Sequence, residues 1–377
     1  MIAFSSGHSG RRRWREACDE CLAQLELSGG EGQDRLGFLY ATDDRTPSME
    51  AVIDYLGEQT GVAHWTGSIG LGICASGAEY FAEPGLAILV ASSTTPCFRP
   101  FGTVAEDFGS FDAEHGEWCA RHRPQGAIVH ADPGNPSLPG LMRGLAGRLS
   151  GGFLVGGLTS TRAPEGPMMQ VAGGVTSGGL SGVLLAPEVG LSTRLTQGCT
   201  PIGPAREISR GERNLVFEIE GRPALDVFRE DIGEILARDL RRVAGYIFAA
   251  LPTRGPDSGD YVVRNLVGID PRTGIIAIGE QISSGQEVMF CRRDAQSAAT
   301  DMHRMLAELR NDHERPPAGG LYFSCLARGP NLFGPNASEM EMIRETFGDL
   351  PVVGFFGNGE ISNDRLYAYT GVLALFR

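Results

Sequence analysis

Near the carboxyl terminus, two short apolar runs end in residues that can hold a ligand. Phe323-Ser-Cys-Leu-Ala-Arg-Gly329 sets Cys325 three residues before Arg328. A guanidinium clamps a carboxylate through two parallel N–H bonds, and a nearby cation favours the thiolate form of a cysteine. Gly357-Asn-Gly-Glu360 follows the next apolar run. Asn358 both donates and accepts, and Glu360 suits the α-amino group of a ligand whose carboxylate Arg328 holds. The plainer reading is a packed thiol, an internal salt bridge on Arg328, and a glycine turn whose Glu360 bonds backbone or arginine. Residue types alone leave both open.

Two other segments offer similar chemistry. Gln197, Cys199 and Thr200 lie in a connecting segment, which is either part of a pocket or a brace. Thr159, Ser160 and Thr161 place hydroxyls beside Arg162 after another apolar run, as a ligand contact or as a surface turn. The candidate ligand-binding set is therefore Arg328, Glu360, Asn358, Cys325, Gln197, Cys199, Thr159 and Thr161. No catalytic residue and no metal ligand is assigned, and no cofactor is expected. Cys18-Asp-Glu-Cys21 puts two sulfurs on one helix face, but no second pair follows at zinc spacing, so packing is the expected role. The seven histidines (8, 64, 115, 122, 130, 303, 313) form no HExxH. His115, Cys119 and His122 share a helical face, yet Glu114, Glu117 and Arg121 favour an exposed helix. Gly67-Ser-Ile-Gly-Leu-Gly72 has neither G-x-G-x-x-G spacing nor a following helix, so it is not read as a phosphate loop.

The elements that must position these residues repeat. Leu36–Ala41 reads as a buried strand. Thr46-Pro47 starts a helix carrying Met49, Val52, Ile53 and Leu56, and glycine-punctuated strands follow at 65–75 and 85–91. A second set runs through a strand at 127–131, a helix at 138–149 and strands at 153–158, 168–172 and 179–185. A third runs through 321–326, a helix at 337–347 and strands at 352–356 and 366–376. Strand–helix–strand–strand thus recurs three times at unequal spacing. Between the second and third sets lie a long helical pattern, 224–243, strands at 246–250, 261–269, 274–278 and 286–292, and a helix capped by Asp294. Residues 11–27 form an amphipathic helix that Ser28–Gln33 ends.

The chain has 377 residues and a formal charge of −13, with 33 basic residues, all arginine. Without lysine, pyridoxal and aldolase Schiff bases and the P-loop and kinase lysines are excluded. The acidic balance argues against a nucleic-acid or anionic-membrane partner. Eight widely spaced cysteines, no secretory signal and no 18-residue apolar stretch point to reduced thiols and a cytoplasmic location. The fold class expected is α/β: two domains with mixed sheets built from the repeated strand–helix–strand–strand unit.

Several segments, in order and at matching spacing, resemble one family. Thr196-Gln-Gly-Cys-Thr-Pro-Ile-Gly203 is similar to the end of the FIST N-terminal domain, and Gly221-Arg-Pro-Ala-Leu-Asp226 to the start of the FIST C-terminal domain. Arg264-Asn-Leu-Val-Gly-Ile-Asp-Pro271, Arg293-Asp294, Phe323–Gly329 and Val353-Gly-Phe-Phe-Gly-Asn-Gly-Glu-Ile361 resemble its middle and end. The family's frequent His-Gly near the last strand is Tyr367-Ala368 here, and a frequently polar position holds Leu326. The resemblance covers roughly residues 35–377. It implies an N-terminal helical extension (1–34), a FIST N-terminal domain (35–218) and a FIST C-terminal domain (219–377). It further implies an intracellular sensory module that binds a small metabolite such as an amino acid. With only the short extension outside the module, the expected output is a separate signalling protein. A thiol-dependent hydrolase or transferase using Cys325, and a protein-interaction scaffold without a metabolite, are the alternatives; a non-enzyme is the preferred reading.

Overall fold

Leu36-Gly-Phe-Leu-Tyr-Ala41 is apolar on both sides, and a strand of that kind has to be covered on both faces. The computed structural model, which describes residues 2–27, 34–162, 166, 168–253, 260–312, 316–334 and 338–377, covers it. Two sequence expectations, the Ser28–Gln33 break and the helix start at 337, lie outside the described residues, as does His313. The described chain forms two compact units. The first comprises the segment ending at Thr196, Asp301–Leu366 and Thr370–Arg377; the second comprises Gln197–Thr300 and Tyr367–Tyr369.

In the first unit the repeat seen in the sequence becomes a repeat in space. The first copy contains β1 (Ile2–Ser9), α1 (Trp14–Ala23), β2 (Asp34–Thr42), α2 (Met49–Thr60), β3 (His64–Gly70), the hairpin β4 (Gly72–Ala75) and β5 (Ala78–Phe81), and β6 (Leu86–Ser93). The second contains β7 (Phe98–Val104), α3 (Gly109–His122), β8 (Gly126–Ala131), α4 (Leu138–Ala146), β9 (Phe153–Leu158), the hairpin β10 (Gln170–Ala172) and β11 (Val175–Thr176), and β12 (Leu180–Leu185). The third opens with β13 (Leu191–Gln197), and the second unit interrupts it. That insertion is why the repeats are unequally spaced.

The second unit contains β14 (Cys199–Pro201), β15 (Arg206–Glu212), β16 (Leu215–Ile219), β17 (Arg222–Pro223), α5 (Ala224–Ala237), β18 (Ile247–Pro252), β19 (Tyr261–Asp270), β20 (Ile275–Ile278) and β21 (Glu287–Arg293). Its pairing path β21-β15-β16-β20-β19-β18 closes on itself through β18–β21, entirely antiparallel. Leu225 and Phe228 of α5 fill its core with Ile208, Ile276 and Phe290. The helical pattern at 224–243 is not one helix: Gly233 takes φ +74°, α5 stops at Ala237, and a 3-10 turn spans Leu240–Val243. Then come α6 (Ala295–Asn311), β22 (Gly319–Cys325), the single turn α7 (Pro330–Phe333), α8 (Glu339–Phe347), β23 (Val352–Gly357), the hairpin β24 (Glu360–Ser362) and β25 (Arg365–Tyr367), and β26 (Thr370–Phe376). Asp294 caps α6 as expected, accepting from Gln296 N at 3.0 Å. By contrast, Thr46 and Pro47 fall in a 3-10 turn, Asp43–Ser48, so α2 starts later than the proline suggests.

Each copy pairs its two strands in parallel: β2 with β3, β8 with β9, β22 with β23. A return strand flanks each pair antiparallel. The hairpin after the second parallel strand, however, joins a different copy's sheet. β4 pairs with β23, β10 with β3 and β24 with β9. The sheet orders β1-β6-β2-β3-β10-β11, β7-β12-β8-β9-β24-β25 and β13-β26-β22-β23-β4-β5 are thus one pattern closed cyclically. Inward residues such as Phe38, Ile128, Val155, Leu321 and Val353 share one central core. Outward residues pack beneath α1 and α2, beneath α3 and α4, and beneath α6 and α8. The register aligns Leu39, Val129 and Tyr322 with Gly67, Gly156 and Gly354. The next residues, Tyr40, His130 and Phe323, meet on the pseudo-threefold axis with ring centroids 5.5, 6.4 and 6.2 Å apart.

Candidate functional site

Three equivalent loops follow the first parallel strand of each copy, and comparing them isolates one. After β2, the buried Arg45 spends its whole guanidinium on carbonyls: Nε on Gly85 (3.2 Å), Nη1 on Arg12 (3.2 Å) and Nη2 on Arg11. After β8, Asp132 closes its own turn, accepting from Gly134 N (2.7 Å) and Gly178 N (2.9 Å). Asn135 donates to the carbonyls of Ala105 and Gly178, both at 2.8 Å. Among the described residues, Arg45 and Asp132 thus have their buried polar atoms paired within the fold. The third loop differs.

After β22, Arg328 is fully buried and faces Glu339 at the start of α8. Nε donates to Glu339 Oε1 at 2.8 Å, and Nη2 lies 2.7 Å from the same oxygen. Glu339 also accepts from Tyr322 Oη (2.6 Å), Ser324 Oγ (2.9 Å) and Gly329 N (3.0 Å). Strand alternation puts Tyr322 and Ser324 on the α8 side of β22 and Cys325 on the other. Burial works against the Arg328 charge, but the Glu339 carboxylate more than offsets it, so its pKa is raised. Arg328 Nη1 has no hydrogen-bond partner. Glu360, fully buried at the start of β24, accepts from Thr370 Oγ1 (2.6 Å) and Thr370 N (3.2 Å) through Oε2, while Oε1 is left without a well-formed bond. Burial pushes Glu360 up to about 8, against the pull of Thr370, Arg328 and the Cys325 thiol that hydrogen-bonds its carboxyl. Cys325 is 7% exposed, whereas Arg328, Glu339 and Glu360 are at 0%.

Cys325, Arg328 and Glu360 therefore belong to one polar cluster. Thr159 and Asn358 touch elsewhere in the first unit: Asn358 Nδ2 donates to the Thr159 carbonyl at 3.0 Å, and Thr159 Oγ1 lies 3.1 Å from Ser68 Oγ. Asn358 is exposed and Thr159 buried. Thr161 donates to Asp43 Oδ2 at 3.3 Å, beside the Arg162–Asp43 ion pair at 2.8 Å. Gln197 and Cys199 sit in the second unit. Gln197 Nε2 donates to the Tyr261 carbonyl (3.2 Å), and Tyr261 Oη donates to the Cys199 carbonyl (2.6 Å). The Cys199 thiol packs against Phe248, Ala250, Val263 and Cys291.

Sequence reasoning missed Glu339, the acceptor that holds the site. Its only signal is an acidic residue in the first turn of a helix, an ordinary placement. It also missed His130, fully buried, with Nε2 3.0 Å from Tyr40 Oη and Nδ1 unpartnered. The segment carrying Cys119 is a helix, α3, but His115 is buried rather than exposed: its ring packs against Phe101 and Phe111, and its Nδ1 accepts from Arg99 Nε at 3.1 Å. Cys18 and Cys21 are buried, with the Cys18 thiol pushed up to about 12 by burial. Among the described residues no group of three or more His, Cys, Asp or Glu is placed to hold a metal ion. Open clefts lie elsewhere in the first unit. One of about 900 Å³ adjoins Ala3–Ser6, Ser76 and Arg344, and one of about 510 Å³ adjoins Asp132 and Asn135. None of the eight candidates lines either cleft. Among the described residues no helix is long and apolar enough to cross a membrane.

Comparison with known proteins matches the model of the FIST N domain to residues 35–222 and that of the FIST C domain to 224–363. An uncharacterized protein of Mycobacterium tuberculosis (strain CDC 1551 / Oshkosh) is 30% identical over 390 aligned residues, covering 100% of this chain and 98% of its own. An uncharacterized protein of Mycobacterium bovis is 34% identical over 211 residues, 54% of each chain. The family models meet at 222–224, whereas the compact units part at Thr196 and rejoin at Asp301. The second unit therefore takes residues from both family domains.

Proposed function

This chain belongs to the FIST family, whose domains are sensory modules of signal transduction, and from that premise we propose that it senses a small carboxylate metabolite at the end of β22. The observation that carries the reading is the contrast among the three equivalent loops. Among the described residues, Arg45 and Asp132 of the first two loops have their buried polar atoms paired, while in the third Arg328 Nη1 is buried without a hydrogen-bond partner, and Glu360 Oε1 at the start of β24 lacks a well-formed bond. A buried polar atom left unpaired costs about 1–3 kcal/mol, which a ligand that pairs it recovers. Arg328 Nη1 takes the carboxylate, and Glu360 and Cys325 face the rest of the molecule. An amino acid or a similar carboxylate is the class in view, and the signal passes to a separate protein. Because the cluster is closed, the ligand enters by local opening beside Cys325, which is buried but the least completely so of Cys325, Arg328, Glu339 and Glu360. The scaffold alternative requires a broad exposed apolar patch. Among the described residues the exposed large hydrophobics are two, Tyr246 and Val267.

The test is a thermal-shift series on ligand-free protein against amino acids and organic acids. A ligand at 100 times its dissociation constant stabilises by about 2.7 kcal/mol, a visible rise in Tm. Glu360→Gln keeps the volume and replaces a carboxyl that burial holds protonated near neutral pH with an amide that cannot ionise, so it alters the ranking of ligands above about pH 8, where the carboxylate forms. A folded protein that no carboxylate stabilises disproves the reading.

A further inference from the structure

We propose that the free edge of β1 docks an extended, basic segment of a partner protein, which adds to the first sheet as one more strand. The proposal does not depend on a ligand at the end of β22. β1 ends its sheet, bonded on one side to β6 in continuous antiparallel register. Charges, proline or a bulge discourage pairing at natural edges. Ile2-Ala-Phe-Ser-Ser-Gly-His-Ser9 has no proline, acidic residue, lysine or arginine, and its register has no bulge.

His8 shows which backbone groups face outwards. Its N–H donates to Gln24 Oε1 (3.2 Å) and its carbonyl accepts from Gln24 Nε2 (2.7 Å), so a side-chain amide takes the place of a paired strand residue there. Antiparallel pairing alternates residues bonded to the partner strand with residues facing away, so Ser6 and Phe4 face the same way as His8. Among the described residues nothing bonds the N–H and C=O groups of these two on that side. Beyond the Gln24 amide, the open cleft of about 900 Å³ runs along Ala3–Ser6. β13, the corresponding first strand of the third copy, meets a cleft of about 250 Å³ at its first residue, Leu191.

Charge names the occupant. Ser5 Oγ accepts from Glu26 N at 2.7 Å, which sets Glu26 beside one face of β1. A Cβ on Gly319 would stand 2.7 Å from the Phe4 ring, which sets the third sheet, with Asp349 in the loop before β23, beside the other. Both carboxylates line the cleft and are exposed, and neither is in an ion pair among the described residues. The cleft's guanidinium, Arg344, is held by Glu341 at 3.0 Å. Burial lowers the pKa of His8, whose Nδ1 lies 2.7 Å from Tyr80 Oη, so it adds no cation at neutral pH. An incoming strand alternates its side chains between the two faces, so neighbouring lysines or arginines reach one carboxylate each. A second copy of β1 brings no such cation, which favours a partner over self-pairing.

The experiment presents a display library of random short peptides to the full-length protein. Retained peptides are expected to carry neighbouring Lys or Arg residues. A synthetic one should shift the Phe4 and Ser6 amide resonances of 15N-labelled protein and shield them from solvent exchange. Ser6→Pro removes an outward N–H and no bond to β6, and should weaken that peptide about tenfold or more; the exposed pair Glu26→Gln/Asp349→Asn should do likewise. The carboxylate variant decides alone if the proline variant misfolds. Retained peptides without basic residues, retention undiminished by both variants, or no peptide retained overturns the proposal. A wild-type dimer that Ser6→Pro dissociates assigns the edge to a second copy and overturns the partner.

Discussion

At the scale of single residues, Glu339 does the most. It accepts from Tyr322, Ser324, Arg328 and Gly329 within 3.0 Å, so its loss strands a buried guanidinium and several donors. Glu339→Gln is expected to destabilise the protein by about 3–5 kcal/mol in chemical denaturation, the cost of breaking a buried ion pair from one side. A loss under 1 kcal/mol would show that the pair is solvated in solution. Arg328 and Glu360 were legible in the sequence because charged residues just after apolar runs sit at strand ends. Glu339 was not, since its value depends on which loop folds against the helix that it starts. Two buried titratable groups set opposite pH slopes. Burial depresses His130 to about 3, so below its ordinary 6.5 the unfolded chain binds the proton better. Stability therefore falls as pH drops from 6.5 towards 3, by about 1.4 kcal/mol per unit from this residue. Glu360 is raised from 4.5 to about 8, so between these values the folded chain holds the proton better, and stability falls as pH rises. The double variant Tyr40→Phe/His130→Phe, which leaves no buried partner unpaired, removes the acid-side slope; Glu360→Gln removes the other. Denaturation midpoints measured from pH 4 to 8.5 read both, and unchanged slopes would refute the assignments.

At the scale of elements, the repeated glycines are the constraint. A Cβ built on Gly67, Gly156 or Gly354 would stand 1.8, 1.8 or 1.7 Å from the carbonyl oxygen of Leu39, Val129 or Tyr322. The parallel strands approach so closely at these points that backbone would have to move. Alanine at any of the three is expected to cost about 3 kcal/mol, the upper end of overpacking. Gly102→Ala on β7, where a Cβ meets nothing within 4 Å, is expected to be near neutral. Similar losses at Gly102 and Gly156 would contradict the packing argument. The parallel strands and their helices were legible because apolar runs and a 3.6-residue period mark them directly. Strands such as β1, with its Ser5-Ser-Gly-His-Ser9, and β15, with its Arg206-Glu-Ile-Ser-Arg210, were not, because much of their pairing is backbone bonding that side-chain patterning does not record.

At the scale of the whole first unit, the exchanged hairpins determine how it comes apart. In a chain of independent repeats, each copy would open separately and stability would be a sum of local terms. Here the first copy's hairpin completes the third sheet, the second copy's completes the first, and the third copy's completes the second. No sheet can lose a neighbour without exposing an edge in another copy, and the central core containing Phe38, Ile128 and Phe323 is shared by all three. The repeat was readable from the sequence, but the exchange was not, because a four-residue strand such as Gly72–Ala75 carries nothing that names its partner. The expectation is one cooperative opening. Native-state hydrogen exchange should give amides in β2, β8 and β22 a common free energy of opening, although they lie in different sheets. A destabilising change in β4, such as Ile73→Ala, should lower all three together, by about 2–5 kcal/mol for a fully buried isoleucine. Protection lost only in the third sheet, or three distinct opening energies, would mean that the copies unfold as separate units despite the exchange. The proposed ligand site stands at one junction of this arrangement: Cys325 ends a strand of the third sheet, and Glu360 begins a hairpin strand of the second. A ligand bridging Arg328 and Glu360 therefore adds a tie between two sheets. Its stabilisation should appear in the exchange of β8 and β9 as well as of β22, and not locally at the loop alone.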